Sequence, residues 1–253
     1  SENASHTSDF AISVSAVKRI NIEEIKNLIG TLSKDNENRK TLFENDVNEG
    51  DTVILVIPID EAAPRGRLIL PEQMALRELL DRKAFSYVTQ PEQLPDVLAN
   101  LKTPPKMIVT DSQAFGEIKD MIPDGVPLTS FSILMARYKG FLDTALKAVK
   151  EIDNLKDGDT VLIAEGCTHH RQCNDIGTVK IPRWLKEYTG KNLNIRTCSG
   201  TEFPEDLSGI SLVIHCGGCM ITEREVLYRM KCSIDQHIPF TNYGVLIAKM
   251  KGI

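Results

Sequence analysis

Glu49-Gly50-Asp51-Thr52-Val53-Ile54-Leu55-Val56 is matched in form, far downstream, by Asp157-Gly158-Asp159-Thr160-Val161-Leu162-Ile163-Ala164. Each is a Gly-Asp turn feeding an apolar run of strand length, and a run without polar alternation belongs in a sheet covered on both faces. A form used twice favours two consecutive α/β units over one long sheet. The expected fold class is therefore α/β: two consecutive small units with mainly parallel sheets flanked by helices. A chain of 253 residues is long enough to bury such cores without staples.

In the first unit, the run Thr52 to Ile59 is a buried strand and Asp60 to Leu70 a loop at its carboxyl end. Pro71 opens a helix carrying Met74, Leu76, Leu79 and Leu80. Phe85 to Thr89 is a second strand, Pro91 to Asn100 a helix, and Lys106 to Thr110 a third strand running into Asp111. Strand, helix, strand, helix, strand implies a small parallel sheet. Arg65 and Arg67 suit an anion-binding loop, a solvated loop or a subunit contact. Asp60 and Asp111 are either site carboxylates at strand ends or caps. Pro123 to Pro127 punctuates the chain, and two helical faces follow, one through Phe131, Leu134, Met135 and Tyr138, the other from Phe141 to Ile152.

The second unit runs from the Thr160 strand through Cys167-Thr168-His169-His170 and Cys173, then a helix from Pro182 stopped by Gly190, a strand from Leu193 to Thr197 reaching Cys198, and Ser211-Leu212-Val213-Ile214. That last run delivers His215-Cys216-Gly217-Gly218-Cys219 to the carboxyl edge of the sheet, where open α/β sheets bind ligands. Thr222 with Glu225 is a capping-box signature for a helix containing Val226, Leu227, Met230 and Cys232. If the Thr160 and Leu212 strands are neighbours, Cys167, Cys216 and Cys219 face one another, with His169 and His215 at hand. Three such thiols fit an iron-sulfur cluster; with one histidine they also fit structural zinc. Cys216-x-x-Cys219 alone fits a thiol redox pair, and unligated buried cysteines complete the alternatives. Cys173, Cys198 and Cys232 read as packing or supporting thiols.

Before Glu49 the pattern weakens. Residues 1–9 read as a tag or a disordered start, Phe10 to Ala16 as a strand, and Ile22, Ile25, Leu28, Ile29 and Leu32 as the apolar face of a helix capped by Asn21. Residues 33–49, charged and Asn-rich, read as a linker. With 30 basic against 35 acidic side chains nothing points to nucleic acid. No apolar run is of membrane-spanning length and no signal peptide is present, so a cytoplasmic protein with free thiols is expected. Neither a Gly-x-x-x-x-Gly-Lys-[Ser/Thr] phosphate loop nor an Asn-Lys-x-Asp motif occurs, so this chain is not expected to hydrolyse GTP.

Cys167-Thr168-His169 with His215-Cys216-Gly217-Gly218-Cys219 resembles the [FeFe]-hydrogenase maturation GTPase (HydF) family, whose pattern is Cys-x-His followed several tens of residues later by His-Cys-x-x-Cys. The likeness extends to Ile57-Pro58-Ile59-Asp60 with its Ala-Pro-Arg-Gly-Arg loop, and Val14-Ser15-Ala16 is similar to the Ser-Ala turn of Ras-like GTPases. The resemblance implies a tag, linker and strand-helix remnant of a GTPase fold over 1–46, a dimerisation domain over 47–120 and an iron-sulfur cluster-binding domain over 121–253. It further implies a [4Fe-4S] cluster on Cys167, Cys216 and Cys219, with His169 or His215 as fourth-ligand candidates and no catalytic residue. A transient diiron precursor would pass from a homodimer to apo-[FeFe]-hydrogenase, with the radical-enzyme maturases as further partners. GTP and Mg would belong only to a full-length parent. The alternative functions are a zinc-stabilised interaction module and a thiol redox protein.

Overall fold

The computed structural model describes residues 12–34, 40–59, 66–166 and 175–253. The chain divides into two compact units, Ser1–Lys40 and Thr41–Ile253. In the first, helix α1 (Ile22–Lys34) forms where the apolar spacing predicts it, with Glu23 and Glu24 in the first turn, the favoured end for acids. Asn21 does not cap it through its side chain. Its φ is +56° and its amide donates back to the Ser13 carbonyl at 2.9 Å, while its own carbonyl accepts from Ile25 N–H. Of the strand expected over Phe10 to Ala16, Phe10 and Ala11 lie outside the described residues. The remainder makes only one antiparallel bridge, Ser15 to Ile20. A strand needs a partner for its backbone groups, and the described part of this unit offers none.

The second unit contains two four-stranded parallel sheets of identical topology. In the first, β1 (Thr52–Val56), α2 (Leu70–Asp81), β2 (Phe85–Thr89), α3 (Leu94–Asn100), β3 (Met107–Thr110), α4 (Phe115–Ile118) and β4 (Leu128–Ser130) succeed one another, in the spatial order β2-β1-β3-β4. Helices α5 (Phe131–Tyr138) and α6 (Leu142–Ala148) follow, separated by Gly140 at φ +76°. The second sheet is built from β5 (Thr160–Ala164), α7 (Ile181–Thr189), β6 (Asn194–Cys198), β7 (Leu212–His215), α8 (Glu223–Asp235) and β8 (Phe240–Asn242), closed by α9 (Tyr243–Lys251), in the order β6-β5-β7-β8. The repeated Gly-Asp-Thr segment thus supplies the equivalent inner strand of each sheet. Even the first pairs correspond, Thr52 with Phe85 and Thr160 with Asn194.

Period-two alternation explains why β1 is apolar throughout. Val53 and Leu55 face a core with Ala75, Leu79, Leu134 and Met135, whereas Ile54 and Val56 face another with Leu94, Ile108 and Ile118. The second sheet has one large core that also takes in Phe115, Ala136 and Phe141. The linker expected over 33–49 is in part a built element, because Leu42, Phe43 and Val47 are buried in the first core. Glu78 accepts from the amides of Leu42 and Phe43, and Arg82 and Arg137 hold the carbonyls of Val47 and Leu42.

Strands β4 and β8 escape the sequence pattern because three residues show no period. Each ends in a helix cap: Ser130 Oγ accepts from Ile133 N–H, and Asn242 Oδ1 from Val245 N–H. The two caps meet, since Asn242 also donates to the Ser132 carbonyl at 3.0 Å, joining the start of α5 to that of α9. No helix among the described residues is long and apolar enough to cross a membrane.

Candidate thiol site between the two sheets

Strands β5 and β7 are neighbours, with Ala164 opposite His215, and Ala164 is also opposite Cys198 of β6. The carboxyl ends of all three strands are therefore level. The ladder continues one residue further, where Cys216 N–H donates to the Ala164 carbonyl. That turn aims the Cys216 sulfur back at two amides: Gly166 N–H donates to it at 3.0 Å and Gly218 N–H at 3.3 Å.

Two glycines shape the loop. Gly218 is at φ +65°, and a Cβ there would stand 3.0 Å from Val226; a Cβ on Gly166 would crowd Ile221 at 3.2 Å. The loop straddles both halves, Cys216 packing on the second core and Cys219 on the first. Burial pushes the Cys219 thiol up, opposed by the Lys139 charge and by the backbone amides of Met220 and Cys219. Lys139, just past the end of α5, is itself buried, and its Nζ donates to the carbonyls of Gly218 and Ile221. Burial lowers its pKa, while Cys219, Cys216 and Glu223 pull it back up.

His215 is fully buried. Its ring lies edge-on to Phe141 and 5.6 Å from the Phe240 ring centroid. Nδ1 is 2.7 Å from the Cys216 carbonyl and Nε2 is 3.3 Å from a guanidinium nitrogen of Arg229. Both ring nitrogens are engaged, and in this arrangement His215 braces the Cys216 turn. Desolvation, with only partial offset from the Cys216 carbonyl, lowers its pKa to about 4.

Arg229 is the hub behind this turn. It is 1% exposed, pairs with Glu225 at 2.8 Å, and donates to the carbonyls of Glu165 and Gly200, with Phe203 stacked 5.4 Å from its guanidinium carbon. One side chain thus ties together the segments leaving β5, β6 and β7. Thr222 caps α8 as expected, its Oγ1 accepting from Glu225 N–H, while the Glu225 carboxylate is taken by Arg229.

Cys167 and His169, with His170 and Cys173, lie outside the described residues, as do Asp60 and Arg65. Arg67 is exposed and Asp111 stands at the start of a short 3-10 turn. Cys198 is a core thiol raised by burial, and Cys232 is half-buried on α8. The described flanks of the Cys167 segment are well fixed. Glu165 is buried, Asp175 accepts from the Thr178 amide and hydroxyl, and Gly177 leaves room that a Cβ would fill 2.3 Å from the Tyr243 hydroxyl. That hydroxyl is buried with no hydrogen-bond partner among the described residues, and burial drives its pKa well up. Also among the described residues, no group of three or more His, Cys, Asp or Glu side chains is placed to hold a metal ion.

Lys139, Arg229 and Tyr243 went unseen in the sequence. Arg229 alone had a signal: it occupies the buried stripe of α8 between Val226 and Ser233, where a charge is anomalous. The donor chemistry present suits an anionic, thiolate-bound centre: two thiols, amides aimed at sulfur, and a buried cation beside them.

Two equivalent parallel α/β units are joined through helix caps and share a two-thiol loop. Residues 42–140 match the hydrogen maturase F dimerization domain and residues 143–253 the hydrogen maturase F tetramerization domain. Both domains are present, together cover most of the chain, and place it in the hydrogen maturase F family. A search of curated proteins found no match to the chain.

Proposed function

We propose that this chain is an iron-sulfur scaffold and carrier in [FeFe]-hydrogenase maturation, holding a [4Fe-4S] cluster on Cys167, Cys216 and Cys219 and delivering a diiron cargo to apo-hydrogenase. The observation that carries the reading is the Cys216 sulfur receiving the Gly166 amide. Cys167 is the residue next in sequence to Gly166, and in this reading it supplies the third thiol. A cluster held by three thiolates leaves one iron open to an exchangeable ligand, the chemistry a carrier needs. His169 is the better fourth-ligand candidate, because both nitrogens of His215 are engaged. The radical-enzyme maturases would be the other partners in a reducing cytoplasm, and GTP with Mg would act only through a GTPase domain of a longer parent. In this reading the dimerisation role belongs to the domain matched over 42–140, and the cluster is carried by the domain matched over 143–253.

Anaerobic reconstitution followed by iron, acid-labile sulfide and electron paramagnetic resonance measurements tests it. The expected result is a reducible four-iron cluster in the parent chain and loss of most bound iron in Cys167→Ala. Stoichiometric zinc with no reducible cluster would instead establish the zinc-stabilised interaction module.

Homodimer formation has a physical basis in the first sheet. Both β2 and β6 are edge strands, but β2 exposes Phe85, Tyr87 and Val88 where β6 exposes Asn194, Arg196 and Thr197. An apolar edge with open backbone groups invites a second strand, and twofold symmetry makes that pairing antiparallel. Phe85→Asp combined with Val88→Lys is expected to raise the dimer dissociation constant at least tenfold in sedimentation equilibrium. An unchanged constant would remove β2 from the interface.

A further inference from the structure

We infer that Lys139 is a positioning residue of the thiol site, reaching from the dimerization domain to lock the Cys216–Cys219 loop and to set a fixed positive charge beside its thiols.

Four observations converge on this side chain. It is an ammonium buried in a region whose other buried groups are mostly apolar, which requires strong compensation. That compensation comes from the site itself, the Gly218 and Ile221 carbonyls that bracket Cys219. The nearby charges that oppose desolvation are Cys219, Cys216 and Glu223, all on the loop or the helix that follows it. Finally, Lys139 lies at 139, within the 42–140 match, whereas the loop it holds lies within 143–253. At the other end of α5 the loop runs close, since an added Cβ on Gly217 would stand 3.4 Å from Ser132 Oγ. The site is thus shared between the domains.

Two consequences separate the roles of the anchor and the charge. A lysine that donates to two loop carbonyls restrains the amides between Cys216 and Thr222. A fixed cation near thiolates also favours the more negative state of whatever centre they hold, so its loss shifts a reduction potential downward. The second consequence rests on the cluster reading above; the first does not.

The test uses the whole chain with Lys139→Met, which removes donors and charge, Lys139→Gln, which keeps donors without charge, and Lys139→Arg, which keeps both. Hydrogen exchange on metal-free protein is expected to show amides between Cys216 and Thr222 exchanging at least tenfold faster in Lys139→Met, with β1, β3 and β5 unchanged and Lys139→Arg within about twofold of the parent. Dithionite titration of the reconstituted protein is expected to place the Lys139→Gln potential lower by a tenfold change in the redox equilibrium, about 59 mV for one electron. Unchanged loop exchange in Lys139→Met overturns the anchor, and unchanged potential in Lys139→Gln overturns the charge. Should Lys139→Met unfold, Lys139→Gln and Lys139→Arg decide: equal potentials in these two overturn the proposal. If the parent chain binds no cluster, the scaffold reading fails, and the exchange experiment still decides whether Lys139 holds the loop.

Discussion

Arg229→Ala is expected to lower the folding free energy by about 3–5 kcal/mol, the range for breaking a buried charged network. The truncation strands the carbonyls of Glu165 and Gly200, leaves His215 Nε2 without its neighbour, and empties the space under Phe203. Because those groups sit on the segments leaving β5, β6 and β7, the loss falls on the carboxyl edge that presents Cys216. Urea denaturation with circular dichroism measures it, and a loss below about 1 kcal/mol would show that the hub is dispensable. Arg229→Lys is expected to recover only part of the stability, since an ammonium cannot span three segments as a planar guanidinium does.

Acid is expected to destabilise the metal-free protein through His215. Its pKa is about 4 in the folded state against an ordinary 6.5. Above pH 6.5 the imidazole is neutral whether folded or unfolded, and the full stability is present. As pH falls from 6.5 towards 4, the unfolded chain takes up a proton that the folded chain refuses, and up to about 3 kcal/mol is lost. Below the folded value both states are protonated and this contribution stops changing. Parallel urea titrations at several pH values, with His215→Asn as the comparison, check the assignment: the variant is expected to have a flatter profile across that window. Identical slopes would place the acid sensitivity on other groups.

Much of the fold was legible because it follows from period and punctuation. Gly50-Asp51-Thr52 and Gly158-Asp159-Thr160 marked the two inner strands, and apolar runs without alternation marked parallel sheets. Gly190 stopped α7 and Thr222 capped α8 as their residue types dictate. The segment around Leu42 and Phe43 reads as a linker because its charges look solvated in sequence, yet Glu78 takes its backbone amides and Arg137 holds the Leu42 carbonyl and Asp46, pinning it from other elements.

The site was half legible. His215-Cys216-Gly217-Gly218-Cys219 announced itself through spacing, and strand patterning put it at a sheet edge, but the role of each member depended on long-range partners. Sequence offered His215 as a fourth-ligand candidate; packing against Phe141 and Phe240 and the reach of Arg229 show it buried behind the Cys216 turn. Local sequence by itself determined the longer strands β1–β3 and β5–β7, the Gly-Asp turns and the two-thiol loop, because those depend on neighbours a few residues away. Only the tertiary structure decided that Lys139 and Arg229 are buried beside that loop. Burial of a charge depends on carbonyls and rings contributed by distant segments, and no short-range pattern encodes them.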